Sequence, residues 1–103
     1  MNPACTVIVR IARIEVDSET LLREMRAMLP TLERQEGFLG AETLVRDGNR
    51  EVIHIVRWRD RGCYDRCQAS PELMVAGLRL LEMLQAGALN MTVEVYAPAD
   101  APA

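Results

Sequence analysis

Residues 37–73 read GFLGAETLVRDGNREVIHIVRWRDRGCYDRCQASPEL, and this stretch carries most of the information about the fold. Two runs rich in β-branched residues flank Asp47-Gly48-Asn49, a turn whose residues tolerate positive φ. The pattern predicts an antiparallel hairpin of Phe38–Asp47 and Glu51–Arg59. Within the first strand, Gly40 predicts a bulge or a close approach of another backbone.

The second strand of this hairpin carries the only histidine and the only tryptophan of the chain. His54 lies four residues before Trp58, so both side chains leave the same face of the strand, together with Val52 and Val56. That stripe is typical of the wall of a small apolar pocket with one titratable group, and Tyr64 on the adjoining helix is expected to join it. Two alternatives stay open: a core histidine satisfied by a neighbour, and a tryptophan that serves only the core or a dimer interface.

The flanking segments supply a strand and a helix before the hairpin, and two helices and a strand after it. Before the hairpin, the periodicities predict a strand Thr6–Ile14 and a helix Glu19–Gln35 that is kinked or broken at Pro30. After it they predict a short helix Asp60–Ala69, a second helix from Ser70-Pro71 to Gln85 that Gly77 weakens, and a strand Leu89–Tyr96. This order predicts an α+β, ferredoxin-like split βαβ domain over residues 5–97, with both helices on one face of a four-stranded antiparallel sheet. Residues 98–103 contain only Pro, Ala and Asp, and are expected to be a disordered tail.

Composition indicates one small globular domain and excludes several classes of partner. The chain has 103 residues, of which 50% are hydrophobic, and a net charge of −3. Its twelve basic residues are all arginine and form no run, so neither nucleic acid nor a membrane is an expected partner. There is no long apolar run and no secretion signal, which favours the cytoplasm. Because so small a domain leaves one apolar sheet face uncovered, we expect a homodimer.

The soft metal ligands of the chain are few. Cys63 and Cys67 are four residues apart, a spacing that could hold part of a metal site on a helix. The simpler interpretation is that both are small apolar residues that face the core. With neither a glycine-rich phosphate loop nor a complete ligand cluster, we expect no cofactor and no metal. Five methionines are expected to fill the core: Met25, Met28, Met74, Met83 and Met91.

Three short motifs give the sequence a family resemblance. They are Gly-Phe-Leu-Gly at 37–40, Arg57-Trp58, and Ala-Ser-Pro-Glu at 69–72. With them, the chain from Thr6 to Tyr96 resembles the antibiotic biosynthesis monooxygenase domains of the dimeric αβ-barrel superfamily. The resemblance implies that two copies of the sheet form an αβ barrel.

The resemblance also implies a pocket and a chemistry. In family oxygenases that act on polycyclic aromatic polyketides, an asparagine four residues before the tryptophan and a tyrosine six residues after it line the pocket. Trp58 and Tyr64 match these positions, and His54 stands where the asparagine would be. An arginine on the long helix also takes part there, and Arg79 is the candidate by position. The implied chemistry uses no metal or flavin: the substrate loses a proton and the carbanion reacts directly with oxygen.

Two functions from different classes follow. The first is a small cofactor-independent monooxygenase that acts on a hydroxylated aromatic or quinol-type molecule, with His54, Trp58, Tyr64 and Arg79 as its catalytic residues. A neutral imidazole can take the proton that this reaction releases. The alternative is a non-catalytic, dimeric protein that binds a small aromatic molecule in the same pocket. Haem degradation is less favoured, because resembling enzymes hold haem iron through a histidine on the long helix, and this helix has none.

Overall fold

The computed structural model describes residues 3–100. In chain order the elements are β1 (Cys5–Arg13), α1 (Ser18–Glu33), β2 (Phe38–Arg46), β3 (Glu51–Trp58), α2 (Arg61–Gln68), α3 (Pro71–Ala76), α4 (Leu78–Gln85) and β4 (Leu89–Tyr96). The predicted strands and helices are therefore present, with ends shifted by one or two residues. The proposed tail lies partly in residues 101–103, which are outside the described residues.

The four strands form one antiparallel sheet in the order β2-β3-β1-β4. This arrangement confirms the predicted ferredoxin-like α+β fold, in which the central strands come from the two halves of the chain. The turn of the β2–β3 hairpin has positive φ at Asp47, Gly48 and Asn49, as its composition predicted. The predicted irregularity is also present: Phe38 pairs with Trp58 and Gly40 with Arg57, which leaves Leu39 as the extra residue of a bulge.

Side-chain caps fix the starts of the helices that surround the site. The carboxylate of Asp17 accepts a hydrogen bond from the backbone N–H of Thr20 at 2.7 Å, and Asp60 accepts one from Cys63 at 2.9 Å. At α3, Ser70 caps the helix and Pro71 occupies the first turn. These caps satisfy backbone donors that the helix leaves free.

Two details of the helices differ from the sequence prediction. Helix α1 continues through Pro30 to Glu33, so it is not broken there, and the alternative of a kink stays a prediction. The predicted helix up to Gln85 is instead divided into α3 and α4 at Gly77, whose φ is −94° and ψ 6°. Because Gly77 has no side chain, the Met28 side chain of α1 packs close to its backbone.

The core lies between the helices and one face of the sheet. Alternation places Val7 and Ile11 of β1 and Val52 and Val56 of β3 on this face, and all four are buried. Trp58 is 1% exposed. The apolar residues of α3 and α4 are only partly covered, since Leu81 is 47% exposed and no residue of either helix is fully buried.

The opposite face of the sheet is open. Its centre is formed by apolar side chains of which none is fully buried: Ile8, Leu44, Ile53 and Ile55. Around them lie ion pairs of Arg10 with Glu94 at 2.6 Å and of Arg57 with Glu42 at 3.2 Å. Within residues 3–100, no helix combines the length and apolar character needed to cross a membrane.

Candidate functional site

A cavity of about 210 Å³ lies between the sheet and the helices. Three residues of the predicted β3 stripe line its sheet side, namely His54, Val56 and Trp58, whereas Val52 is buried in the core and does not line it. Helix α2 contributes Tyr64, so the structure brings together the histidine, the tryptophan and the tyrosine that the sequence selected. The rest of the wall is mostly aliphatic or thioether: Val7, Val9, Ile11, Met25, Met28, Leu32, Cys67, Gln68, Leu73, Leu80, Met91 and Val93.

On the sheet side of the cavity, the titratable residue is His54. Its Nδ1 is 3.2 Å from the hydroxyl oxygen of Thr43, which stands directly opposite on β2. Burial lowers the pKa of His54 below the ordinary value of 6.5, because the apolar surroundings disfavour the imidazolium. The imidazole is therefore neutral at pH 7.

The second ring nitrogen of His54 is available to a ligand. Nε2 has no hydrogen-bond partner within residues 3–100. In the same part of the chain, every fully buried side-chain nitrogen or oxygen has a hydrogen-bond partner. Because Nε2 has none, it is not fully buried and keeps contact with solvent. A neutral imidazole with one nitrogen hydrogen-bonded and the other free can exchange a proton with a bound molecule.

Aromatic rings form one end of the cavity. Phe38 meets Trp58 edge to face with ring centroids 5.9 Å apart, and Tyr64 lies 6.4 Å from Trp58 at an interplanar angle of 52°. These contacts hold the indole in a fixed orientation. Burial raises the pKa of the Tyr64 phenol above 10, so Tyr64 is a protonated hydrogen-bond donor at neutral pH. The Arg61 guanidinium covers the Tyr64 ring at 5.6 Å.

The residues that line the cavity include no aspartate, glutamate, lysine or arginine. Its polar side chains are His54, Tyr64 and Gln68, with the weakly polar thiol of Cys67. A charged ligand would lose its hydration here without gaining an opposite charge. The site therefore suits a neutral, mainly apolar molecule with a few hydrogen-bonding groups.

Arg79 is the one predicted site residue that the structure does not bring to the cavity. It is exposed on α4, whereas its neighbour Leu80 lines the cavity. Consecutive helical residues point about 100° apart. With Leu80 turned inward, the guanidinium of Arg79 is directed away.

Sequence reasoning missed several residues of the site. Thr43 was not selected, although the hairpin turn already fixes its register opposite His54. Met25 is buried in the core as expected and also lines the cavity, whereas Met28 and Met91 line it without being fully buried, and Met91 is 39% exposed. Met74 is 67% exposed, so its expected place in the core is wrong.

The cysteines belong to the core. Cys5, Cys63 and Cys67 are free and buried, in agreement with the core interpretation of the last two. The Cys63 sulfur accepts hydrogen bonds from the guanidinium groups of Arg59 and Arg66, each at 3.3 Å. Across residues 3–100, no three His, Cys, Asp or Glu side chains are grouped so that they could hold a metal ion.

Comparison with known proteins links the chain to a family. The sequence model for antibiotic biosynthesis monooxygenase matches residues 6–76. None of the curated protein sequences compared with the chain matches it.

Solved structures share the fold at low sequence identity. SnoaB, a cofactor-independent oxygenase from Streptomyces nogalater, superposes with a TM-score of 0.80 and 16% identity over 95% of each chain. Rv0793 from Mycobacterium tuberculosis superposes with a TM-score of 0.74 and 23% identity, over 97% of this chain and 99% of its own. PA3566 from Pseudomonas aeruginosa superposes with a TM-score of 0.74 and 24% identity, over 94% of this chain and 95% of its own. At these identities the likeness concerns the fold.

Proposed function

The chain belongs to the antibiotic biosynthesis monooxygenase family, and on this premise we propose that it is a cofactor-independent monooxygenase acting on a neutral hydroxylated aromatic or quinol-type molecule. One observation carries the proposal. A neutral imidazole, with Nε2 free, lines an apolar cavity beside an ordered tryptophan and a protonated tyrosine. That set can hold an aromatic ring and take a proton from it.

The proposed reaction is written for a substrate whose keto tautomer carries a CH2 group, as in an anthrone, and it begins with transfer of one proton of that CH2 group to Nε2 of His54. Because burial disfavours the imidazolium, the carbanion forms beside a cation that readily returns its proton. The carbanion forms a C–O bond with O2, and the resulting peroxide takes the proton back from the imidazolium. Loss of the second C–H proton then expels hydroxide, which leaves a carbonyl and one water. The overall change, CH2 plus O2 to C=O plus H2O, needs no other reductant.

The aromatic residues position the substrate in this proposal. The Trp58 ring offers a flat apolar surface, and the Tyr64 hydroxyl is a donor for a substrate oxygen on which negative charge develops. The guanidinium of Arg79 does not line the cavity, so we assign it no step.

We propose that the protein is a homodimer and that it is located in the cytoplasm. The open sheet face supports the dimer, since its apolar centre of Ile8, Ile53 and Ile55 is bordered by ion-paired residues, a pattern typical of an interface. Three free thiols suit a reducing compartment.

Oxygen consumption tests the monooxygenase proposal. Metal-free protein is mixed with a panel of hydroquinones, naphthohydroquinones and anthrones, and O2 uptake is compared with the uncatalysed rate. For any substrate found, His54→Ala should lower turnover by about two to four orders of magnitude, the usual contribution of a general acid or base. Arg79→Ala serves as the comparison variant. Turnover that His54→Ala leaves unchanged would contradict the proposed base.

The second candidate is a non-catalytic protein that binds a small aromatic molecule. The position of Arg79 favours it, since the family oxygenases use an arginine of the long helix and Arg79 does not line the cavity. Trp58 is the only tryptophan of the chain, so quenching of its fluorescence reports binding directly. Saturable quenching by quinols without O2 uptake would support this candidate over the monooxygenase.

A further inference from the structure

One side chain outside the cavity wall contacts the proposed base. Thr43 lies on β2 and pairs with His54 in the sheet register, so both side chains leave the same face. Its Oγ1 is 3.2 Å from Nδ1 of His54. Thr43 is exposed to solvent at the edge of the sheet, whereas the imidazole is half-buried.

The contact leaves two arrangements of the proton. Either the hydroxyl donates to Nδ1 and the ring proton sits on Nε2, or Nδ1–H donates to Oγ1 and Nε2 carries the lone pair. In the first arrangement, Nε2–H faces the cavity, where no group within residues 3–100 accepts from it and solvent is its only partner. A ligand that fills the cavity would displace that solvent and leave the N–H unpaired, and an unpaired buried donor is less well tolerated than an unpaired acceptor. In the second, the exposed hydroxyl can give its own hydrogen to water.

We infer that Thr43 is a positioning residue: it accepts a hydrogen bond from Nδ1–H of His54 and so keeps the lone pair of Nε2 directed to the cavity. The role of that lone pair as a base rests on the proposed function. The proton placement itself does not, because it concerns the protein without substrate.

The inference explains how one imidazole can act as a base in this environment. A histidine whose ring proton sat on Nε2 would offer a bound substrate a donor, and proton abstraction would first need a change of tautomer. The Thr43 hydroxyl removes that step by selecting the reactive tautomer in advance. Valine, which has nearly the same shape and suits a strand, would fill the position without selecting it.

Nitrogen NMR of the imidazole tests the inference in the resting protein. His54 is the only histidine, so ¹⁵N-histidine labelling gives one unambiguous pair of ring signals. At a pH where the ring is neutral, the unsubstituted protein should show mainly the Nδ1–H tautomer. Thr43→Val should reduce the ratio of Nδ1–H to Nε2–H by about two- to tenfold, the factor that one net hydrogen bond contributes, and Thr43→Ser should restore it.

A matched control and an activity readout complete the experiment. Thr92→Val removes a threonine hydroxyl from an exposed strand position on the other face of the sheet and should leave the tautomer ratio unchanged. An unchanged ratio in Thr43→Val, or a resting state already dominated by Nε2–H, would overturn the inference. If the ratio changes but no substrate consumes O2, the positioning role stands and the monooxygenase proposal fails. If a substrate is found, Thr43→Val should lower kcat with little change in KM.

Discussion

Gly37 is the residue of the site's framework whose replacement has the most predictable cost. It joins α1 to β2 with φ at +82°, and a Cβ built there would lie 2.6 Å from Cβ of Cys63 and overlap its sulfur as well. Its carbonyl also accepts a hydrogen bond from the backbone N–H of Arg59 at 2.7 Å, immediately after Trp58. The replacement Gly37→Ala therefore disturbs both a left-handed backbone and the packing of α2 against the hairpin.

The expected destabilisation has two parts. A non-glycine residue in the left-handed region costs about 1–2 kcal/mol. Forcing extra volume into a packed core costs about 1–3 kcal/mol more, and Cys63 is held by Arg59 and Arg66, so it cannot easily move aside. Together, Gly37→Ala should lower the free energy of unfolding by about 2–5 kcal/mol.

Gly48 provides the matched control. Its φ is +66°, but no atom lies within 4 Å of a Cβ built there, so Gly48→Ala should carry only the backbone part of the cost. Urea unfolding at one fixed protein concentration measures both variants, since association would make stability depend on concentration. If the two variants differ by less than about 0.5 kcal/mol, the overlap with Cys63 contributes nothing and the reasoning is refuted.

Three further results are expected. The pKa of His54 is lower in the folded protein than its unfolded value near 6.5, so the unfolded state binds more protons below about pH 7. The free energy of unfolding should therefore fall as the pH drops from about 7 to the folded pKa, by up to about 1.4 kcal/mol per pH unit. Urea titrations of His54→Gln should lack this loss. Ile55→Arg, at the centre of the open sheet face, should give a monomer by light scattering, whereas Val75→Arg on exposed α3 should leave the dimer intact; equal masses would contradict the proposed interface. The three cysteines should resist a thiol reagent at pH 8 until the protein is unfolded, since all are buried and burial raises the pKa of Cys67 to about 11; rapid labelling of the folded protein would argue against the core as described.

Local patterns were sufficient to predict the hairpin and the sharing of a face by His54 and Trp58. The turn at 47–49 sets the ends of both strands, and the two-residue period of a strand leaves no freedom in which side chains share a face. These predictions needed no knowledge of the tertiary structure. The caps at Asp17 and Ser70 are equally local features, because each depends on a contact with a residue three positions away.

Features that depend on packing between distant segments were not predictable from the sequence. The division of the last helix at Gly77 accompanies its contact with Met28 of another helix, and periodicity does not contain that contact. The place of Arg79 depended on the rotation of α4 about its axis, which Leu80 settles by lining the cavity. The contact of Thr43 with His54 lay within reach of the sequence, since it follows from the hairpin register alone.

The two sides of the cavity differ in how freely their side chains can change conformation. On the sheet, Val9 and Val56 have one stiff torsion each, and Trp58 is held by neighbouring rings. On helix α1, Met25 and Met28 each have three rotatable bonds and a polarisable sulfur. Ligands that differ in outline on the sheet side should therefore be discriminated sharply, while substituents directed at the thioethers should be accommodated by a change of rotamer with the backbone unmoved.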